Sequence, residues 1–420
     1  MPQDKLYYVH RIVAPADTKN DNKKYRLYLL LVSEENKYEN NLMFWPLEYG
    51  INSSNDSDNA EMTVTHFQQR TGIYEGCFVV IEKNDTPKNA NSYPLAKKNI
   101  LEGNKYRNYL KAYKAEFRDD ITGTVTDVCS YHINVGHGNT SIIAFKEDGI
   151  CHLWMIDCAF REIKTWHNYR NNINACFEHI KNKYSLQEIK IDKLLITHLH
   201  YDHIGSVVQL MKGNYFADNL EIWFNDKFAC SSQTYLDMVN AIDDYGQQQG
   251  KNYRIIEPIK RSNQSAIQVL HPSVSYTGTH LRTAHRAPDG KINNASVVFQ
   301  ISLANHTMIF PGDMEEKGCD EVRKCYPHIN RPDYYCISHH GSINGHGMNI
   351  YCSPACELFD DLRCRCYGGI KSVILMGRDG AFDGIFSPTV IDYFTGIIYK
   401  TEDAKYFLEL DWQTGTMSNI

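Results

Sequence analysis

Three histidines and an aspartate lie within six consecutive positions of the stretch THLHYDHIG, Thr197 to Gly205. They are His198, His200, Asp202 and His203. Neutral imidazole suits zinc and related transition metals, and a carboxylate adds a hard oxygen ligand. Without a cation, four such groups would repel or desolvate one another at high cost. The pattern therefore predicts a metal site in which His198 and His200 form one pair of ligands, and Asp202 and His203 another.

The flanking residues indicate which elements present this motif. The apolar run IDKLLIT ends at Thr197 and predicts a buried strand, and residues two apart at a strand exit share one face. HIGSVVQLM predicts a helix directly after the motif, and apolar spacing between Ile163 and Ile180 predicts an amphipathic helix before it. Asp202 could instead cap the following helix, a common role for aspartate. If it binds metal, the two pairs can hold two ions close together.

The chain of 420 residues is long enough for two or three domains. Residues 1–93 predict a β-rich N-terminal domain, with strands at Tyr25–Val32 and Cys77–Ile81. Residues 94–121 predict a basic amphipathic helix or linker. In residues 122–420, strands alternate with fewer helices, which is typical of an α/β domain. The metal motif lies in this last domain, and the N-terminal domain could bind a protein partner.

The segment 94–121 carries a stripe of basic residues beside an aromatic one. The basic residues at helical spacing are Arg107, Lys111, Lys114 and Arg118. A linker helix with a solvated basic face is the simpler interpretation. The alternative is a contact with the phosphate backbone of a nucleic acid, with the aromatic rings available for stacking on bases.

Composition narrows the classes of protein. The net charge of −6 excludes a surface that is basic throughout, so a nucleic-acid substrate would need a local basic patch. No apolar stretch reaches the length of a membrane span and the first residues lack a signal core, so we expect a cytoplasmic protein without membrane contact. In that compartment the thirteen cysteines are expected to be thiols or metal ligands rather than disulfides.

Four cysteines cluster in the stretch YCSPACELFDDLRCRC. They are Cys352, Cys356, Cys364 and Cys366. The C-x3-C and C-x-C pairs are close enough in sequence to hold a structural zinc ion. The spacing is not that of a standard zinc finger, and free thiols are the alternative.

The motif HLHYDH resembles the HxHxDH signature of the metallo-β-lactamase superfamily. Further matches follow in the order found in that family. MIDC places Asp157 at the end of a strand, MIFPGDME places Asp313 in a Gly-Asp pair, and YYCISHHGS places His339 and His340 in a closing histidine motif.

The finer pattern is similar to the hydrolase domain of the ComEC-like competence DNA-uptake channel and its free-standing relatives. The segments INVGHGN, VLHP, NNASVV, PGD, HHGS, FSPTVIDYF and YKTED follow that order over roughly Thr122 to Trp412. The chain departs from the pattern at His137, which replaces a glutamine, at Asn139, which replaces an aspartate, and at Ser387, which replaces a histidine. Asn293 and Asn294 stand where many superfamily members have a third histidine for the first metal.

The resemblance implies an αββα sandwich with a binuclear site along one edge between two sheets. It implies two divalent ions, zinc or manganese, the first on His198 and His200 with weak help from Asn294 or water. The second ion would lie on Asp202, His203 and a histidine of HHGS. Asp313 would bridge the two ions, and Asp157 would line the site. Apart from the resemblance, the stretch GRDGAFDG predicts a turn near the mouth of the site, where Arg378 could meet an anionic substrate.

A hydrolase is the activity that this resemblance implies. A water held between the ions would act as the nucleophile, Asp202 could orient it, and His340 or His137 would give a proton to the leaving group. The expected substrate is a phosphodiester in nucleic acid or in a linear or cyclic nucleotide. The alternatives are a lactone, amide or thioester hydrolase with the same chemistry, and a sensor or scaffold that only binds metal.

Overall fold

The computed structural model describes most of the C-terminal two thirds of the chain and short stretches before it. The described residues are 6–13, 25–32, 44–49, 73, 78–82, 86–89, 121–160, 168–225, 233–246, 248, 251–258, 265–272, 291–325, 332–346 and 370–420. The predicted basic stripe, Arg107 to Arg118, and the predicted zinc cysteines, Cys352 to Cys366, lie outside these residues. Both stay predictions, as do the domain boundaries. The six cysteines whose state the structure describes are free thiols.

The N-terminal strands form a five-stranded antiparallel sheet in the order β3-β2-β1-β4-β5. The strands are β1 (Leu6–Val13), β2 (Tyr25–Val32), β3 (Phe44–Tyr49), β4 (Phe78–Glu82) and β5 (Thr86–Asn89). The predicted strand at Tyr25–Val32 has the same bounds in the structure. The strand predicted at Cys77–Ile81 begins one residue later.

A second sheet, of eight strands, has the order β11-β10-β9-β8-β7-β6-β18-β19. Its strands are β6 (Val125–Ile133), β7 (Ser141–Glu147), β8 (Ile150–Ile156), β9 (Ile191–Leu195), β10 (Phe216–Trp223), β11 (Asn252–Ile256), β18 (Phe407–Asp411) and β19 (Met417–Asn419). β8, β9, β10 and β11 run parallel to one another. Their carboxyl ends therefore meet at one edge of the sheet, and Asp157 and the metal motif follow two of them.

A third sheet, of six strands, has the order β12-β13-β14-β15-β16-β17. Its strands are β12 (Ile267–His271), β13 (Val298–Leu303), β14 (His306–Phe310), β15 (Tyr334–Cys336), β16 (Ser372–Leu375) and β17 (Ile398–Lys400). The last four of these are parallel. The Gly-Asp pair and the HHGS motif follow β14 and β15, so they too come together at one edge.

Short and medium helices connect the strands. They are Arg170–Tyr184, Tyr201–Ile204, Val207–Lys212, Gln233–Gly246, Lys291–Asn294, Glu316–Cys325 and Pro388–Tyr393, with 3-10 turns at Ser338–Gly341, Ile343–His346 and Thr401–Asp403. The helix predicted between Ile163 and Ile180 begins at Arg170, and residues 161–167 lie outside the described part. Its buried residues Ile173, Phe177 and Ile180 repeat every three or four positions, as one apolar helix face requires.

Buried apolar side chains of the second and third sheets share one cluster. Ile143 and Trp154 of the eight-stranded sheet lie in it together with Phe299 and Phe310 of the six-stranded sheet. Strand residues alternate between two faces, so these two sheets are packed face to face through one side of each.

The other face of each of these sheets packs against helices. Leu194 and Ile222 share a second cluster with Phe177 of the helix Arg170–Tyr184. Ile309 and Val373 share a third with Val322 of the helix Glu316–Cys325. The described part of the chain after residue 120 is thus a mixed α/β structure with two facing sheets and few helices. None of its described helices is both long and apolar enough to cross a bilayer.

Candidate metal centre

The HLHYDH motif begins at His198, three residues after β9 ends at Leu195. The short helix Tyr201–Ile204 starts one residue after His200, so Asp202 lies inside its first turn rather than before it. The helix has no side-chain cap, and the alternative role of Asp202 as an N-cap is therefore not what the structure shows. His198, His200, Asp202 and His203 are all buried, at 0–7% exposure. At this degree of burial, the charges and lone pairs of these side chains interact with one another rather than with water.

Asp157 anchors the start of the motif from the end of β8. Its carboxylate accepts hydrogen bonds from the backbone N–H and the hydroxyl of Thr197, both at 2.8 Å. The same carboxylate accepts a bond from Nδ1 of His203 at 2.7 Å. Asp157 has φ 55°, a left-handed conformation that aspartate tolerates better than most residues. Asp157 therefore orients His203.

Asp313 reaches the motif from the facing sheet through the turn after β14. Gly312 in this turn has φ 60°, and a Cβ atom there would lie 2.6 Å from Cβ of Thr197. Glycine therefore permits both the turn and the close approach of the two sheets at this edge. The carbonyl of Gly312 also accepts a hydrogen bond from the backbone N–H of His339 at 3.0 Å, which joins the Gly-Asp turn to HHGS.

His339 and His340 are consecutive residues in the left-handed region, with φ 48° and 49°. Each such non-glycine residue costs about 1–2 kcal/mol. Strain of this kind persists only where the surroundings enforce it and is concentrated at functional sites. In this turn both imidazoles are directed toward Asp313, which neighbouring residues of a regular strand could not do.

Four histidines present Nε2 to the carboxylate of Asp313. His203 lies 3.2 Å from Oδ1, whereas His340, His198 and His339 lie 3.6, 3.9 and 4.0 Å from Oδ2. The two oxygens of one carboxylate therefore face different histidines.

The opposite nitrogen of each of these rings is held by an outer partner. Nδ1 of His340 donates to the carbonyl of Met376 at 3.0 Å, as Nδ1 of His203 donates to Asp157. Nδ1 of His198 and of His339 lie 3.3 and 3.2 Å from the hydroxyls of Thr197 and Ser342. A bond at Nδ1 fixes the ring and leaves Nε2 for a metal.

Asp202 faces two imidazoles through one oxygen. Its Oδ2 lies 3.0 Å from Nε2 of His137 and 3.5 Å from Nε2 of His340. His137 belongs to the VGHGN loop between β6 and β7, and the loop is fixed to the motif because the N–H of Asn139 donates to the carbonyl of Asp202 at 2.8 Å. The rings of His340 and Phe382 pack on His137, with centroids 4.3 and 4.5 Å away. The predicted site residue His137 thus lies in the centre.

The surroundings keep both site carboxylates ionised. Burial alone would raise the pKa of Asp202, but hydrogen bonds from His137 and His340 outweigh it, and this pKa lies well below its usual value. Burial likewise opposes ionisation of Asp313, where the positive charge of His203, followed by those of the HHGS histidines, holds the pKa well below its usual value. Ionised carboxylates are the form that binds cations.

The histidines divide into two electrostatic types. Burial, followed by the charge of His203, lowers the pKa of His198 well below its usual value, so its imidazole is neutral. Burial also disfavours the charged form of His203, but the carboxylates of Asp313 and Asp157 outweigh it and raise the pKa well above its usual value. His203 therefore carries a proton in the metal-free protein, at the nitrogen that a cation would take.

The side chains present fit a metal ion. One ligand atom from each of Asp202, His203, Asp313 and His340 lies within 4.8 Å of the others. Oδ1 of Asp202 is buried and has no hydrogen-bond partner among the described residues. A buried carboxylate oxygen without a partner, close to a second carboxylate and two imidazoles, fits the ligand set of a divalent cation.

Asn293 and Asn294 are tied to Glu315 instead of facing this cluster. Their side-chain amides donate to the two carboxylate oxygens of Glu315, both at 3.1 Å. Oδ1 of Asn294 also accepts the backbone N–H of Gly318 at 2.8 Å. Nδ1 of His339 lies 3.6 Å from Glu315 Oε1. The predicted contribution of Asn294 to the first metal stays a prediction, since both ends of its amide already have partners.

The remaining predicted residue is Arg378, half-buried in the turn after β16. Its carbonyl accepts the N–H of Ala381 in the turn that also carries Phe382, so its side chain starts near the centre. Sequence reasoning missed Thr197, Glu315 and the carbonyl of Met376. Glu315 had a signal, as the acidic residue two positions after Asp313; Thr197 and Met376 had none.

Comparison with known proteins adds one match. The model of the metallo-beta-lactamase superfamily matches residues 179–214. This match supports the metallo-beta-lactamase superfamily. It covers the end of the helix Arg170–Tyr184, β9 and the whole HLHYDH motif. Asp313 and HHGS lie outside the matched segment, and it is the fold that brings them to the motif. No curated protein matches the chain.

The metallo-beta-lactamase match and the buried cluster support the same kind of activity. The match covers the motif, and the geometry adds a carboxylate and a histidine from the facing sheet at metal-binding distances. Together they indicate a metal-dependent hydrolase.

Proposed function

We propose that the chain is a binuclear metal-dependent hydrolase that cleaves phosphodiesters in nucleic acids or nucleotides. The observation that carries this proposal is the position of Asp313, whose Oδ1 faces His203 and whose Oδ2 faces His198 and the HHGS histidines. A carboxylate with ligands on both oxygens can bridge two ions. The facing sheets with outer helices support the αββα sandwich of the superfamily, with the centre along one edge.

The residues divide between two ions. Asp202, His203 and His340 would hold one, His198 and His200 would hold the other, and Asp313 would join them. Bound divalent ions supply a water of lowered pKa and stabilise negative charge on the attacked group. Zinc and manganese both accept this set of imidazole and carboxylate ligands.

The protein's own groups orient the reaction and manage a proton. Nε2 of His137 lies 3.0 Å from Oδ2 of Asp202, and the other oxygen, Oδ1, has no hydrogen-bond partner among the described residues. Of the two predicted proton donors, His340 presents Nε2 to the cluster as a ligand. His137 lies beside the cluster without being one of its four ligand residues, and it is therefore the better placed general acid for a leaving group.

The substrate class rests on the order of motifs, which is similar to that of ComEC-like hydrolase domains. Two ions flanking one carboxylate suit the in-line displacement of a phosphodiester, because they stabilise both the attacking and the leaving oxygen. The same centre could open a lactone or cleave an amide or thioester. These reactions and a purely metal-binding role are the alternatives that the test must separate.

The test uses the full chain loaded with manganese or zinc. It is incubated with bis(p-nitrophenyl) phosphate, single-stranded DNA, RNA and a panel of lactones, beside His200→Ala and Asp202→Ala. We expect phosphodiester turnover that both variants lose. Lactone turnover without phosphodiester turnover would refute the proposed substrate, and silence on every substrate with metal bound would favour the sensor or scaffold.

A further inference from the structure

His339 is a left-handed residue beside a ligand, but it is not part of the compact group Asp202, His203, Asp313 and His340. Its Nε2 nevertheless lies 4.0 Å from Oδ2 of Asp313, almost the same distance as Nε2 of His198, at 3.9 Å. Two ligands about 2.1 Å from one ion in tetrahedral geometry lie about 3.4 Å apart. Both imidazoles are therefore within a small adjustment of sharing an ion with Asp313.

The other side of His339 has the partners that a metal-bound histidine requires. Nδ1 lies 3.2 Å from the hydroxyl of Ser342 and 3.6 Å from Glu315 Oε1. Glu315 is itself held by the amides of Asn293 and Asn294. A carboxylate behind a histidine fixes the ring and raises its strength as a ligand.

We propose that His339 is the third protein side chain of the ion held by His198 and His200, and that Asn293, Asn294 and Glu315 serve to position it. The asparagines occupy the place of a third histidine in sequence but act through Glu315 on a different ligand. His339 and His340 would then bind different ions, although both imidazoles face Oδ2 of Asp313. This inference rests on the proposed binuclear centre and assigns its ligands.

The backbone gives independent support. Adjacent residues in extended chain point to opposite sides, so only an unusual turn lets both reach one carboxylate. The two left-handed residues provide that turn against the backbone preference of L-amino acids. If only His340 bound metal, the strained backbone at His339 would not place a ligand in the site.

Metal uptake decides the assignment without any activity measurement. His339→Gly and His340→Gly each remove one imidazole while keeping a residue that adopts positive φ without strain. The intact chain and both variants are stripped, titrated with Co²⁺ and followed by visible absorption, and then loaded with zinc and analysed for metal content. His152→Ala is the matched control, since His152 of β8 pairs with Asp192 of β9 away from the centre.

We expect two binding steps for the intact chain and for His152→Ala. His339→Gly should lose the step that His198→Ala also loses, and His340→Gly should lose the other. Glu315→Gln should weaken the His339 step about 10–100-fold, as changes behind a metal ligand do. Melting of the metal-free variants confirms that they are folded.

Two results would overturn the assignment in different ways. If the intact chain binds two ions and His339→Gly binds both with unchanged affinity, His339 is not a ligand and the proposed function stands. If the intact chain binds no ion, the proposed metal centre is wrong and the assignment falls with it.

Discussion

Nε2 of His137 lies 3.0 Å from Oδ2 of Asp202. The loop between β6 and β7 therefore fixes the position of a ligand residue that follows β9 of the same sheet. The contact is buried, and it is the chief hydrogen bond that lowers the pKa of Asp202 against the effect of burial. His137 therefore helps to set the charge of a metal ligand, Asp202, even when no substrate is bound.

Removing His137 should move the acid limit of metal binding. In His137→Ala the burial of Asp202 remains but its strongest hydrogen bond is lost, so the pKa of Asp202 rises and the carboxylate takes a proton at a higher pH. We expect zinc affinity to match the intact chain near neutral pH and to fall earlier on acidification, measured between about pH 4 and 7. His137→Gln keeps a donor and should restore much of the profile. A profile for His137→Ala that coincides with the intact chain would contradict this role.

Replacing Asp157 should destabilise the fold as well as the centre. Its carboxylate accepts two bonds from Thr197 and one from His203, and all are buried. Breaking a buried pair leaves a charge without compensation, so Asp157→Ala should lose about 3–5 kcal/mol in the free energy of unfolding. Asp157→Asn keeps the left-handed backbone and one acceptor, and should lose less. Urea denaturation of the metal-free proteins checks both values, and equal losses would argue against the His203 contact.

His132 should make stability depend on pH. It is buried between the hydroxyls of Ser130 and Ser141, and burial lowers its pKa to about 3. The unfolded chain takes up a proton near pH 6.5, whereas the folded chain stays neutral to about pH 3, so stability falls as the pH falls through this window. His132 alone contributes about 1.4 kcal/mol per pH unit.

The comparison for His132 is the slope of stability against pH. His132→Gln keeps a polar group and does not titrate, so its unfolding free energy should fall less steeply than that of the intact chain below about pH 6. His306→Gln is a control at a partly exposed site. Parallel slopes for the intact chain and His132→Gln would show that His132 is protonated in the folded protein.

Metal removal should lower the melting temperature, and this shift should depend on the ligand residues of the metal centre. Ligand that binds only the folded state adds about 2.7 kcal/mol when its free concentration is 100 times Kd. Chelation should therefore lower the melting temperature of the intact chain, and added zinc should restore it. Asp313→Asn should melt at the same temperature with and without zinc, because it disrupts the ligands of both ions. A zinc-dependent shift that survives in this variant would place the ion elsewhere.

Local patterns in the sequence predicted individual strands and helices. Tyr25–Val32 is a strand with the predicted bounds. The strand before His198 is present but ends at Leu195 rather than Thr197, and a short helix begins inside the motif at Tyr201, before the helix Val207–Lys212 that follows it. The helix predicted from Ile163 begins at Arg170 in the described residues, because apolar spacing alone does not mark where a helix starts.

The arrangement of the site depends on contacts between residues far apart in the sequence, which the spacing of residues within a motif does not reveal. The resemblance placed Asp313 and His340 in the centre, and the structure brings them there from the facing sheet. Asn294 was predicted beside the first metal, whereas its amide bonds to Glu315 and Gly318, two residues that only the turn after Asp313 brings near. The 3.0 Å contact of His137 with Asp202 likewise results from the closure of a loop on a distant helix.

The consecutive left-handed histidines set stability and function against each other. A glycine at either position would relieve backbone strain, so a screen for heat resistance of the metal-free protein should favour changes at His339 and His340. The variants it selected would have given up the imidazoles that meet at Asp313. Thermostable versions of this protein should therefore be sought under selection with metal present, and the HHGS turn should be kept fixed.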